Sequence, residues 1–75
     1  MNQINFLNLP LPFQLVELFS SGIYIDYILK GGYIVKLFQM KNYYVKSYYH
    51  IKKNKLVRIV VIDKPNDLKP FLKII

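Results

Sequence analysis

The spacing of hydrophobic residues divides the chain into a helical part followed by four short strands. From Pro12 to Phe19, apolar side chains recur at helical spacing, with Gln14 and Glu17 on the polar side. Pro12 suits the first turn of a helix, and Gly22 supplies a C-terminal cap. Beyond Gly22 the hydrophobic spacing changes to two, which is typical of β-strands.

Four runs rich in Ile, Val, Tyr and Phe account for the strands: Ile23–Leu29, Tyr33–Gln39, Tyr43–Ile51 and Lys55–Asp63. Three links join them, each of three residues ending in Gly or Asn: Lys30-Gly31-Gly32, Met40-Lys41-Asn42 and Lys52-Lys53-Asn54. A three-residue link whose last residue is left-handed is a common hairpin loop. The pattern therefore predicts an antiparallel β-meander with strand order 1-2-3-4.

Loops of this length also determine how the strands pair. They place Leu29 opposite Tyr33, Gln39 opposite Tyr43, and Ile51 opposite Lys55. In that register all odd-numbered strand residues share one face, which carries almost no charge. We expect this odd-numbered face to form the core, with the helices packed on it.

Proline-containing segments flank the sheet on both sides. Leu9-Pro10-Leu11-Pro12 predicts extended backbone before the first helix. Near the other end, Asn66 or Asp67 can cap a short helix whose apolar residues are Leu68, Phe71 and Leu72. The predicted fold is one α+β domain, residues 1–75, with an N-terminal helix, a four-stranded antiparallel β-meander and a short C-terminal helix.

The even-numbered face is rich in aromatic and basic side chains. Its candidate interaction residues are Tyr24, Lys36, Phe38, Tyr44, Lys46, Tyr48 and Arg58. Asp26 is predicted to lie opposite Lys36, which is a favourable cross-strand pair. Such a face suits three kinds of partner: a second copy of the chain, a different protein, or single-stranded RNA or DNA whose bases stack on the rings.

The fourth predicted strand is apolar on both faces and contains no proline between Leu56 and Ile62. Proteins rarely leave an edge of this kind uncovered, because it readily pairs with another strand. Either the N-terminal segment Ile4–Leu7 pairs with it, or a second chain does. Together with the even-numbered face, this strand predicts a homodimer or a small homo-oligomer.

The net charge of +7 and the hydrophobic fraction of 53% bear on these alternatives. Excess positive charge attracts nucleic acids, although a Lys-rich composition is also typical of AT-rich coding sequence, and the two explanations stay equally open. A chain of 75 residues without Cys has no disulfide or thiolate metal site to support a small core. Self-association is the remaining common way to stabilise such a small hydrophobic core.

Catalytic and cofactor chemistry finds little support among the residues. One His and four carboxylates are too few for a metal cage, and His50, at a strand end, is expected to be structural. The start of the chain lacks a basic region followed by a long apolar run, which predicts no secretory signal. The longest apolar stretch, Ile59–Ile62, is far shorter than the roughly 20 residues of a membrane-spanning helix, so no membrane span is predicted. We expect a cytoplasmic, non-enzymatic interaction domain that binds no cofactor.

The whole chain resembles a family of short, uncharacterised bacterial proteins. That family combines a Leu-Pro-Leu-Pro start, a helix ending in Gly, and a meander. The matching residues are Leu9–Pro12, Gly22, Val35–Phe38, Tyr44, Val45, Tyr49, Asn54, Val57, Arg58, Leu68, Pro70, Phe71 and Leu72. Relatives tend to carry an acidic residue at the position of Lys46. The resemblance implies the fold and no particular activity.

A second resemblance is to the sheet of RelE/ParE-type toxins. It is carried by Leu29-Lys30-Gly31-Gly32-Tyr33, Tyr43-Tyr44-Val45-Lys46 and Tyr48-Tyr49. Those toxins place a longer helical hairpin before the sheet, whereas this chain has room for one short helix. The resemblance implies RNA cleavage as a further functional hypothesis and assigns no catalytic residue.

Overall fold

The computed structural model of this chain describes residues 2–62 and 64–71. Two helices, α1 (Gln3–Leu7) and α2 (Leu11–Ser21), precede the sheet. The strands are β1 (Ile23–Lys30), β2 (Tyr33–Gln39), β3 (Tyr44–His50) and β4 (Lys55–Ile62), and a 3-10 helix, Pro65–Phe71, follows them. The strands form one antiparallel sheet in the order β1-β2-β3-β4, which confirms the predicted α+β fold and its meander.

The N-terminal segment is helical rather than extended. The Asn2 side chain accepts a hydrogen bond from the Asn5 N–H at 2.8 Å and thereby caps α1. Phe6 anchors this helix, since its side chain is fully buried. The predicted pairing of Ile4–Leu7 with the fourth strand is therefore wrong, because these residues belong to α1.

The second helix packs through a different face from the one that its hydrophobic pattern predicts. Gln14, predicted on the polar side, is buried with Leu18 and donates a hydrogen bond from Nε2 to the Phe6 carbonyl at 3.1 Å. Phe13 and Val16, predicted to face the core, are 60% and 62% exposed. The reason is that α1 folds against α2, where Gln14 adds a second hydrogen bond to the Phe6 carbonyl, which already accepts the Leu9 N–H at 3.1 Å.

The β1–β2 turn has two residues instead of the predicted three. Gly31 and Gly32 have φ values of 56° and 83°, so both are left-handed and close a tight hairpin. Lys30 consequently lies opposite Tyr33, and the predicted Leu29–Tyr33 pair is wrong by one position. A bulge farther along the hairpin restores the predicted register at its other end.

The β3–β4 turn also differs from the prediction by one residue, but in the opposite direction. Asn54 is left-handed, with φ of 52°, as predicted. His50 lies opposite Lys55, so the turn is one residue longer than expected. A bulge within the hairpin then restores the predicted Tyr48–Arg58 pair.

The β2–β3 connection departs from the prediction along its whole length. It spans residues 40–43, and the Met40 N–H donates to the Tyr43 carbonyl at 2.8 Å. Both of these side chains are buried, so the connection is anchored in the core. Gln39 lies opposite Tyr44, and no bulge interrupts this pairing. Odd-numbered residues of β2 therefore share a face with even-numbered residues of β3.

This shift defines the two faces of the sheet. The upper face includes Tyr24, Tyr27, Leu29, Lys36, Phe38, Val45, Ser47, Tyr49 and Val61. The lower face includes Asp26, Ile28, Lys30, Tyr33, Val35, Leu37, Tyr44, Lys46, Tyr48, His50, Lys55, Arg58 and Ile62. The predicted all-odd core face is thus wrong, and Asp26 lies opposite Leu37 instead of Lys36.

The core has one layer on each side of the sheet. On the upper face, Phe6 and Leu18 of the helices pack with Phe38, Met40, Tyr43 and Val45. On the lower face, Phe71 of the 3-10 helix packs with Val35, Leu37 and Ile62. The helices therefore cover opposite faces, contrary to the prediction that they would share one.

The C-terminal segment forms the predicted short helix, in this case a 3-10 helix that begins at Pro65. It starts ahead of both predicted caps, Asn66 and Asp67. Two predicted positions, Asp63 at the end of the fourth strand and Leu72 in the final helix, lie outside the described residues.

Candidate functional site

The predicted interaction residues do not share one face of the sheet. Tyr24, Lys36 and Phe38 lie on the upper face. Tyr44, Lys46, Tyr48 and Arg58 lie on the lower face. The prediction of a single aromatic and basic surface is therefore wrong, and two smaller groups on opposite faces replace it.

The upper group lies beside α2. The Lys36 ammonium is 5.9 Å from the centroid of the Tyr24 ring, which packs edge-on against Phe38 at 5.7 Å. Phe38 is part of the core, whereas Tyr24 is half exposed. A cleft of about 260 Å³ adjoins this group; its lining includes Leu15, Leu18, Phe19, Lys36, Phe38 and Ser47. Within the upper group, Phe38 thus supports the packing of α2.

The first strand is the most exposed apolar part of the sheet. Its exposed large side chains are Ile23, Tyr24, Ile25, Tyr27 and Leu29, each at 45% or more. β1 pairs with β2 on one side, and no strand within residues 2–62 and 64–71 pairs with its other side. An apolar strand with an open edge is a pairing site for another strand.

Alternate residues of β1 direct backbone groups away from the sheet. A two-residue turn makes Lys30 and Tyr33 a hydrogen-bonded pair, and every second pair along the hairpin is then also hydrogen-bonded. Tyr27 and Leu29 consequently present their N–H and C=O groups to the open edge. The Asp26 carboxylate accepts the Tyr27 N–H at 2.7 Å, as expected for an amide outside the β1–β2 ladder.

The other edge strand, β4, is covered where β1 is not. Ile59 and Val61 pack against the upper core, and Ile62 is buried in the lower core. None of the hydrophobic residues of β4 is exposed. The edge strand with the more exposed apolar side chains is therefore β1. β4 also has no neighbouring strand on its outer side within the described residues, so the pairing of a second chain with it stays a prediction.

Tyr48 is the centre of a second group, which we call the lower cluster: Tyr33, Lys46, Tyr48, His50 and Arg58. The Arg58 guanidinium carbon lies 4.2 Å from the centroid of the Tyr48 ring, and the Lys46 ammonium lies 5.6 Å from it. Tyr33 packs edge-on against Tyr48 at 5.9 Å and against His50 at 5.1 Å. Aromatic rings and cations thus form one continuous group across β2, β3 and β4.

The two cations alter the acidity of the Tyr48 phenol. Partial burial favours the neutral phenol and raises its pKa, but the positive charges of Lys46 and Arg58 outweigh burial. The pKa of Tyr48 therefore lies below the ordinary value of 10.0. A shift in this direction marks a positive local potential, which attracts anions.

Further cations surround the lower cluster at the end of the sheet where two turns meet. The Ile51 N–H donates to the Gly32 carbonyl at 3.1 Å and joins the β3–β4 turn to the β1–β2 turn. Lys30 and Lys55 extend the same cross-strand row to the two edges of the sheet. Residues 23–62 contain eight Lys or Arg and a single carboxylate, so the positive charge is largely uncompensated along the sheet.

The predicted site omits four members of this region: Lys30, Tyr33, His50 and Lys55. The adjacent glycines at 31 and 32 are the signal that could have placed the first two. Two consecutive glycines between strands favour a two-residue turn with both residues left-handed, and that turn puts Lys30 opposite Tyr33. The sequence offers no equally local signal for the register of β3 against β2.

The described side chains offer surfaces for stacking and charge rather than a metal centre. Within residues 2–62 and 64–71, no three His, Asp or Glu side chains lie close enough together to hold a metal ion. The Nδ1 atom of His50 accepts the Lys53 N–H at 3.1 Å inside the β3–β4 turn. No helix in this part of the chain is both long and apolar enough to cross a membrane.

Comparison with protein-family models, with curated proteins and with solved structures finds no match to this chain. The resemblances to the short bacterial family and to the toxins therefore stay predictions, as does RNA cleavage. Functional interpretation rests on two surfaces, the open edge of β1 and the lower cluster.

Proposed function

We propose that this chain is a non-enzymatic interaction domain that pairs with a second copy of itself along β1. One observation carries the proposal: β1 exposes five large hydrophobic side chains and has no strand beside its outer edge in the described residues. Antiparallel pairing of two copies across a two-fold axis joins the two sheets into one, and the Tyr27 N–H then exchanges its bond to the Asp26 carboxylate for one to the second copy.

The backbone pattern of β1 restricts the register of this pairing. Tyr27 and Leu29 carry the outward groups, so hydrogen-bonded pairs must join odd-numbered residues of both copies. Placing Tyr27 opposite Leu29 of the second copy centres the two-fold axis on Ile28. Each Asp26 then lies opposite Lys30 of the other copy, which creates two opposite-charge pairs on the lower face. Registers centred on Tyr27 or on Leu29 place no acid opposite a Lys.

Charge also favours β1 over β4 as the pairing edge. Each copy carries a net charge of +7, so association must avoid bringing cations together. β1 contains one Asp and one Lys and is neutral as a strand. β4 contains Lys55 and Arg58 and no acid, so two copies of β4 would repel.

An interface of standard size would use a modest share of the chain's surface. A standard interface buries about 800 Å² on each partner, which is about one seventh of the 5511 Å² accessible surface of this chain. The exposed upper-face side chains of β1 can extend the contact beyond the backbone edge. Side-chain burial of this kind is needed because a two-stranded contact alone is marginally stable.

The experiment is a measurement of molar mass against protein concentration, by sedimentation or light scattering, on the wild type and two matched variants. Leu29→Lys places a charge on the open edge, and Phe13→Lys places the same charge on α2, at positions that are 69% and 60% exposed. We expect dimers for the wild type and Phe13→Lys, and monomers for Leu29→Lys. Circular dichroism checks that all three proteins are folded.

A third variant separates backbone pairing from side-chain contact. The Leu29 N–H points away from β2, so Leu29→Pro leaves the β1–β2 ladder intact and removes one outward donor. We expect this variant to be as monomeric as Leu29→Lys. A wild type that stays monomeric up to millimolar concentration would sink the proposal, and so would a dimer that both Leu29 variants leave unchanged.

A further inference from the structure

The lower cluster brings together aromatic rings and cations at some distance from any acid on the strands. Arg58 is exposed and lies 4.2 Å from the Tyr48 ring centroid, which holds the side chain against the sheet while its N–H groups stay available. The one carboxylate within residues 23–62 is Asp26, which lies on β1 at the far edge from Arg58 on β4. Because its side chain is exposed on the lower face, the guanidinium is placed to receive an external anion.

The bulge in the β3–β4 hairpin is what assembles the basic side of this cluster. Arg58 and Lys55 are three positions apart, so a regular strand would direct them to opposite faces. The register shift between them places Arg58 opposite Tyr48 and Lys55 opposite His50. Both basic residues consequently lie on the lower face, beside the rings.

The orientation of the rings bears on the kind of ligand. Tyr33 stands at 80° to Tyr48 and at 82° to His50. Neighbouring rings thus present a face and an edge in turn, rather than one flat stack. Such a surface suits separate bases that are turned outward from a flexible strand, whereas the bases of a duplex are already stacked on each other.

We propose that the lower cluster binds single-stranded nucleic acid, with bases stacked on Tyr33 and on the Tyr48–Arg58 pair. Stacking on aromatic rings and on guanidinium planes tolerates any base, and nearby cations hold the phosphates. Lys46 lies beside Tyr48, and Lys30 and Lys55 flank the row of Tyr33, so phosphates on either side of a stacked base meet an ammonium group. This inference does not depend on pairing along β1.

Charge alone would also attract an anionic membrane or an acidic protein. The rings of the lower cluster are half-buried in the sheet, so they offer little apolar volume for insertion between lipids. An acidic protein would use the cations without needing the rings. Nucleic acid is the partner whose chemistry uses both kinds of group.

The test measures binding of fluorescently labelled oligonucleotides by anisotropy at low salt and then at increasing salt. The probes are a short oligo(U) RNA, an oligo(dT) DNA of the same length, a duplex of the same length, and vesicles of anionic phospholipid. We expect both single strands to bind more tightly than the duplex and the vesicles, with affinity falling as salt rises. Comparing oligo(U) with oligo(dT) decides whether the ribose contributes.

Two matched variants localise the site. Arg58→Gln and Lys36→Gln each remove one positive charge that lies over a Tyr ring, on opposite faces of the sheet. We expect Arg58→Gln to weaken single-strand binding about tenfold and Lys36→Gln to leave it nearly unchanged. Arg58→Lys keeps the charge and loses the planar group, so its affinity should fall between those of the wild type and Arg58→Gln.

Several outcomes would overturn the proposal. They are the absence of salt-sensitive binding, binding of the duplex or the vesicles as tightly as the single strands, and equal losses in Arg58→Gln and Lys36→Gln. Circular dichroism of each variant distinguishes a lost contact from a lost fold. Arg58 is exposed, so its replacement should leave the sheet intact.

Discussion

The two edge strands contain equal amounts of hydrophobic sequence and have opposite surroundings. Six of the eight residues are hydrophobic in β1, and six of eight in β4. Ile23 and Ile62 occupy the two ends of one cross-strand row, yet Ile23 is 65% exposed and Ile62 is 7% exposed. The hydrophobic content of a strand therefore does not reveal whether the strand is covered.

The difference arises from where the helices lie. Among the strands, α2 lies closest to β4, and Ile59 and Val61 of β4 pack against the core that Phe6 and Leu18 build. On β1, Tyr27 and Leu29 share that upper face and stay exposed. The 3-10 helix lies near β1 as well as β4, so the contrast between the two edges arises on the upper face.

Replacing the two matched isoleucines by alanine should produce the largest contrast. We expect Ile62→Ala to lower the free energy of unfolding by about 2–4 kcal/mol, because it opens a cavity in the lower core. Ile23→Ala should change it by less than about 0.5 kcal/mol. Urea unfolding at low protein concentration measures both. Equal losses would show that the β1 edge is as well covered in solution as the β4 edge.

Exchanging the charges of β1 tests its pairing register. Asp26→Lys or Lys30→Asp alone turns two attractive pairs into repulsive ones, and we expect each to weaken dimerisation about tenfold. The double variant should recover most of the loss, because the opposite charges face each other again. Lys41→Asp, at an exposed position in the β2–β3 connection, controls for net charge. A double variant no better than the single ones would exclude the register centred on Ile28.

Amide hydrogen exchange should distinguish the two edges without any mutation. When the concentration is raised to about ten times the dissociation constant, about a fifth of the chains stay monomeric, and exchange at the Leu29 amide should slow about fivefold. Outward amides of β4 should keep their rates, because β4 stays at the edge of the joined sheet. NMR detection gives both rates in one sample, and concentration-dependent protection confined to β4 would reverse the proposed arrangement.

The positive charges of Lys46 and Arg58 should be measurable through their effect on the pKa of Tyr48. Lys46 and Arg58 lower the pKa of this phenol against the opposing effect of burial, so Tyr48 should titrate below 10.0 and Arg58→Gln should raise its pKa. A pKa lowered by folding contributes stability that is present above the unfolded value and is lost as pH falls through the folded value.

Tyr43 provides a control, because its pKa is shifted in the opposite direction. Burial and the Glu17 carboxylate raise the pKa of Tyr43 above 10.0. Its contribution to the stability of the fold is therefore present below pH 10.0 and is lost as the pH rises through the pKa of the folded state. NMR or ultraviolet titration of the wild type, Arg58→Gln and Tyr43→Phe separates the two phenols. Titration of Tyr48 after Tyr43 would contradict this electrostatic description.

Much of the fold follows from local features of the sequence. The fold class, the strand order and the left-handed conformation of Asn54 are predicted correctly. The Tyr24–Phe38 and Tyr48–Arg58 pairs are also correct, although in each hairpin the turn is displaced by one residue and a bulge compensates. The prediction of which residues form the candidate site is wrong, because it depends on the register of β2 against β3. That register is shifted by one residue, and no bulge restores it.

The sequence by itself determined four strands in meander order, because hydrophobic alternation and turn residues such as Gly and Asn act over a few positions. The tertiary structure decided which residues share a face and which edge strand exposes its apolar side chains. Burial of Met40 and Tyr43, with the Tyr43 ring 5.8 Å from Phe6, lengthens the β2–β3 connection by one residue. Because side chains alternate with a period of two, that single residue exchanges the faces of half the sheet.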